Sequence, residues 1–93
     1  MGKYKVIIPE TVQKQISTHN KSGDKSIIKK IEKILIELEN TPYSGIGNPE
    51  QLKYNLTGFW SRRINQKHRL VYNVEETLIS VFVVSAMGHY NDK

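Results

Sequence analysis

Cysteine is absent from the 93-residue chain, which removes disulfides, thiolate zinc sites, iron–sulfur clusters and a cysteine nucleophile together. Long apolar runs are missing too. The longest, Ile34-Leu35-Ile36 and Val81-Phe82-Val83-Val84, fall far short of a membrane-spanning helix. No signal-peptide pattern opens the sequence, since Lys3 and Lys5 interrupt its first apolar residues, so a cytoplasmic protein without membrane contact is expected. Acidic residues are the third scarcity. Fourteen Lys and Arg stand against nine Asp and Glu, a formal net charge of +5. Between Gln51 and Val74 there is no acidic residue, while Lys53, Arg62, Arg63, Lys67 and Arg69 fall there with Tyr54, Phe59, Trp60 and Tyr72 among them. Cations with neighbouring π-faces suit a phosphodiester chain, the cations for phosphates and the rings for bases. A solvated sheet face has the same composition, so the strip alone does not decide between the two.

The length allows one domain, residues 1–93, and no repeat, low-complexity tract or linker divides it. Lys3–Ile8 predicts a first strand stopped by Pro9, and Pro9 to about Asn20 a short helix with Val12 and Ile16 on one face. From Ser26, Ile27, Ile28, Ile31, Ile34, Leu35 and Leu38 recur at helical spacing against a charged face, and Thr41-Pro42 closes that helix. Gln51–Leu56, Phe59–Ile64, His68–Val74 and Leu78–Ser85 predict four short strands. Their connections are too short for anything but an antiparallel meander. The expected architecture is α+β, β-α-α-β-β-β-β, with an antiparallel sheet packed on two helices on one face and its other face open.

Period-two alternation sorts the strand residues. Leu52, Tyr54 and Leu56 share one face with Gln51, Lys53 and Asn55 opposite; Leu70, Tyr72 and Val74 oppose Arg69, Val71 and Asn73; and Ser61 and Arg63 oppose Trp60, Arg62 and Ile64. Lys53, Arg63 and Arg69 are thereby expected together on the open face.

Several chemistries fail on spacing. Gly45-Ile46-Gly47 meets Glu50 where a dinucleotide fingerprint needs its third glycine, and no P-loop Lys-Ser/Thr follows. His19, His68 and His89 have no metal-site spacing, and no cofactor is implied. What remains is Glu50 at a strand entrance, the cations Lys53, Arg63 and Arg69, and the late pair His89-Tyr90. Metal-free RNA cleavage needs such a set: a base for the ribose 2′-OH, cations for the charge developing on phosphorus, and an acid for the departing 5′-oxygen. Each residue also has a plainer reading, as turn, surface strand or chain end, and His19 and His68 are assigned structural roles.

The strings Gly45-Ile46-Gly47-Asn48-Pro49-Glu50-Gln51-Leu52-Lys53, Leu56-Thr57-Gly58-Phe59-Trp60-Ser61-Arg62-Arg63-Ile64, His68-Arg69-Leu70-Val71-Tyr72 and His89-Tyr90 resemble the YoeB/Txe toxins of the RelE superfamily. The resemblance runs from about Ile27 to Tyr90. It implies a RelE-like microbial RNase fold and the toxin of a type II toxin–antitoxin system, an endoribonuclease that cuts mRNA in the ribosomal A site. By motif position it implies Glu50 as general base, His89 as general acid, Arg69 as stabiliser of the pentacovalent phosphorus, Tyr90 as a substrate-placing aromatic, and Lys53 and Arg63 as phosphate contacts. It implies a cognate antitoxin of the YefM/Axe kind as partner, with mRNA on the ribosome as substrate, and leaves a homodimer open. Glu50 conflicts with the alternation, which groups it with Leu52 on the buried side; the glycine loop and Pro49 are expected to hold it outside the regular strand. Departures from the family pattern are Val12, Ile16 and His19 in place of a tryptophan-rich first helix, Asn48 and Met87 in place of frequent cations, and the extension Asn91-Asp92-Lys93. The alternatives are a non-catalytic module of the RelE/ParE fold gripping a protein target such as gyrase, and a decayed toxin acting mainly in autorepression.

Overall fold

The most strongly patterned segment forms the longer of two helices. In the computed structural model, which describes residues 3–52 and 58–88, Ile27, Ile31, Ile34 and Leu38 face inward from helix α2 (Lys25–Leu38), none of them more than 7% exposed. Burying each such side chain contributes about 1.5–3 kcal/mol. Asp24 caps the helix, its side chain accepting from the Ser26 N–H at 3.1 Å. Helix α1 (Glu10–Ser22) starts after Pro9, whose missing N–H costs nothing there, and ends at Gly23, whose φ of 84° closes the last turn.

The strands are β1 (Lys5–Ile7), β2 (Glu50–Gln51), β3 (Phe59–Arg63), β4 (Arg69–Glu75) and β5 (Ser80–Ser85), ordered β1-β5-β4-β3-β2. β2 to β5 make the expected antiparallel meander. β1 differs by lying parallel to β5, which makes the sheet mixed. Two helices separate β1 from the rest of the sheet, so no hairpin constrains its direction.

Between β4 and β5 the register shifts: Val71 pairs Ser85 while Tyr72 pairs Val83, leaving Val84 as the extra residue of a bulge. Leu70, Tyr72, Val81 and Val83 join the helical isoleucines, Val12 and Ile64 in one core. Leu52 and Val71 are buried but stand outside that cluster. The core therefore lies between the helices and one sheet face, and the site is built on the other.

Candidate active site

The site begins with a loop that must be held still. Residues 39–49 connect α2 to β2 without regular structure, and Arg62 on β3 organises them. Arg62 is fully buried, and its Nη1 donates to Glu37 Oε1 at 2.6 Å and Ile46 O at 3.4 Å. Its Nη2 donates to Thr41 O at 2.6 Å and Ser44 O at 2.8 Å, and its Nε to the Tyr72 hydroxyl at 3.2 Å. That hydroxyl donates in turn to Pro42 O at 2.6 Å. Every donor direction of the guanidinium is thus used, as burial of a charge requires. Burial works to raise the Glu37 pKa, but the Ile46 N–H and Arg62 outweigh it and hold the carboxyl below its ordinary value.

The loop glycines fit this packing. A Cβ at Gly45 would collide with the Glu37 carboxylate and lie 2.8 Å from Arg62 Nη1. One at Gly47, where φ is 81°, would lie 2.9 Å from Arg63 O. The Arg63 N–H donates to Gly47 O at 2.6 Å, docking the loop on β3 immediately before Pro49 and Glu50.

The open face carries the charges. Glu50 pairs with Ser61, Ser61 with Val71, and Arg63 with Arg69, so these residues share one side of the sheet. Arg69 Nη1 lies 3.6 Å from Glu50 Oε1 and donates to Ser61 Oγ at 3.4 Å. The Glu50 side chain is 61% exposed and that of Arg69 24%. Arg63, also exposed, stands directly across the ladder from Arg69. Opposed like charges destabilise a strand pair, and an anion laid between them relieves that cost. The Arg69 N–H donates to Gly88 O at 3.0 Å, so the last described residue before position 89 sits against the same arginine.

Of the expected site residues, the structure brings Glu50, Arg69 and Arg63 together. Lys53, His89 and Tyr90 lie outside the described residues. Glu50 is a correction: it is a regular member of β2 and needs no displacement from the strand. The alternation erred because Leu52, which the ladder places on the parity of Glu50, is buried without belonging to the helix-facing core. Arg62 bears out the alternation. It lies on the inward side that alternation gave it, so it is no phosphate cation of the basic strip. His19, missed as anything but a packing residue, continues the Val12–Ile16 stripe of α1 at helical spacing and lies 4.6 Å from His68, ring edge to face. Among the described residues no group of three His, Asp or Glu is placed to hold a metal ion, and no helix there is long and apolar enough to cross a membrane.

Comparison with known proteins sharpens this picture. Residues 13–90 match the sequence family described as YoeB-like toxin of bacterial type II toxin-antitoxin system. Toxin YoeB of Escherichia coli O6:H1 is 49% identical over 67 residues, 72% of this chain and 77% of that protein. A YoeB dimer from Staphylococcus aureus superposes with a TM-score of 0.77 at 36% identity, covering 95% of this chain and 99% of the other. The YoeB chain of a YoeB–YefM complex from the same organism gives 0.74 at 34% identity, covering 94% and 98%. Fold and sequence together define the toxin of a bacterial toxin–antitoxin system. The chain belongs to the YoeB toxin family of bacterial type II toxin–antitoxin systems.

Proposed function

We propose that this toxin is a ribosome-dependent endoribonuclease that cuts mRNA in the A site. Glu50 takes the proton of the ribose 2′-OH, whose oxygen attacks the adjacent phosphorus. Arg69 holds the charge that gathers on the non-bridging oxygens, and His89 protonates the 5′-oxygen as its bond to phosphorus breaks. A 2′,3′-cyclic phosphate and a free 5′-hydroxyl result, and translation stops. Tyr90 places the substrate, and Lys53 and Arg63 contact flanking phosphates.

The observation that carries this reading is the exposed Glu50 carboxylate 3.6 Å from Arg69, with Arg63 across the ladder and the chain bound for His89 tied to the Arg69 backbone. An exposed carboxylate oxygen can accept the proton of an approaching hydroxyl, while a guanidinium fork matches phosphate oxygens. Imidazole, with an ordinary pKa near 6.5, keeps a protonated fraction to serve as acid. The S. aureus relatives, a YoeB–YefM complex and a YoeB dimer, support a YefM/Axe-like antitoxin as partner and a homodimer as an assembly of this chain. The bacterial cytoplasm, where ribosomes are found, is the place of action.

Toeprinting of a short mRNA on bacterial ribosomes tests the proposal. The protein is expected to produce a new cut within the A-site codon, and Glu50→Gln or His89→Gln to lower its rate about 10²–10⁴-fold. Cutting at the parent rate by both variants would remove the acid–base assignment.

A further inference from the structure

β5 ends at Ser85, and the irregular residues after it are tied down by hydrogen bonds from two sides. The Ala86 N–H donates to Gln15 Oε1 at 2.7 Å, and Ala86 O lies 2.8 Å from His19 Nε2. The Gly88 N–H donates to His68 Nδ1 at 2.8 Å, and Gly88 O accepts from the Arg69 N–H at 3.0 Å. Four backbone groups of two residues are therefore satisfied by α1 on one side and by His68 and Arg69 on the other.

These contacts fix the role of one nitrogen in each ring. A carbonyl only accepts, so His19 carries its proton on Nε2; a backbone N–H only donates, so Nδ1 of His68 is bare. The rings then brace each other edge to face at 4.6 Å. His68 is itself seated by Asn65, whose Oδ1 accepts from the Lys67 and His68 N–H groups at 2.8 and 2.7 Å. The apolar reward for all this is one small side chain, Ala86, which is fully buried. Gly88 has φ at 80°, and both its backbone polar groups are bonded.

We propose that His68, braced by His19, is a positioning residue that anchors Gly88 against Arg69, and with it the residue that follows in sequence, His89. The inference rests on the reading of His89 as the acid. It explains why a histidine stands immediately before Arg69 and why a second one occupies the buried stripe of α1. Displacement of a reacting group by about 1 Å costs up to about 100-fold in rate.

Two substitutions separate the hydrogen bond from the ring. His68→Phe keeps the ring against His19 and removes the acceptor; His68→Asn keeps an acceptor at the same distance from the backbone and removes the ring. Cleavage on programmed ribosomes and hydrogen exchange of the Gly88 amide are both measured. The expected result for His68→Phe is a kcat lowered tenfold or more at unchanged KM, with Gly88 exchange accelerated by at least the same factor. His68→Asn is expected to restore most of both. Parental kcat and parental Gly88 protection in His68→Phe would overturn the role while the reading of the site stands, as would an Asn variant as impaired as Phe. A parent protein that leaves mRNA uncut would instead overturn the reading of the site, and the positioning role with it.

Discussion

Two arginines on neighbouring strands of this small sheet, Arg62 on β3 and Arg69 on β4, each pair with a glutamate, and the two pairs differ in almost every respect. Arg62 and Glu37 meet at 2.6 Å with the guanidinium fully buried and every donor direction occupied. Arg69 and Glu50 meet at 3.6 Å, with the carboxylate mostly in water and, among the described residues, Ser61 as a further side-chain partner. The first pair is closed: its polar atoms are spent on the loop from Thr41 to Ile46. The second is unfinished. An exposed ion pair of that length contributes at most about 1 kcal/mol, so its members stay available to a ligand that offers better geometry. Charge placed on the helix side of the sheet has become structure, and charge placed on the open side stays within reach of a ligand.

The sharpest way to break that contrast is Arg62→Leu. It leaves the Glu37 carboxylate and three loop carbonyls without their donor, and the expected loss is about 3–5 kcal/mol in urea unfolding. A loss below about 1 kcal/mol would mean that the loop does not depend on Arg62. Arg69→Gln should behave the opposite way. Its stability is expected to stay within about 1 kcal/mol of the parent, while mRNA cleavage falls about 10²–10³-fold. Equal damage to folding and cleavage would show that both arginines are structural.

The smallest expected effect concerns acid. Glu37 is held below its ordinary value of 4.5 despite burial, and Glu76 is held below 4.5 by the Tyr43 and Tyr4 hydroxyls. A carboxylate with a lowered folded-state pKa binds fewer protons folded than unfolded. Its contribution is complete above pH 4.5 and is lost as pH falls through the lowered value. Unfolding midpoints measured from pH 7 down to pH 3 should therefore decline below about pH 4.5, and less steeply in Glu37→Gln. Parallel profiles for parent and variant would deny Glu37 that role.

Much of this was legible without coordinates. The α2 stripe was readable because four residues, Ile27, Ile31, Ile34 and Leu38, repeat at the period of the helix and all end in the core. Arg69 and Arg63 were readable because alternation over long, unbroken strands fixes a face. Glu50 was not, because a strand of which only Glu50–Gln51 is regular offers too few alternations to fix its own side. Its register comes from Ser61 across the ladder. The clamp on Ala86 and Gly88 was harder still. His19 and His68 meet only because α1 crosses the sheet near the start of β4, a contact that no local spacing encodes.

The sequence by itself determined the helical core, the meander and the family motifs, since periodicity and turn chemistry act over a few residues and are written in the order of the chain. Tertiary structure alone decided the parallel placement of β1, the partners that enclose the Arg62 guanidinium, and the pairing of two histidines beside the turn at residues 86–88. Those outcomes depend on which surfaces cover which. A buried charge has to find its partners across the fold, wherever the chain has brought them.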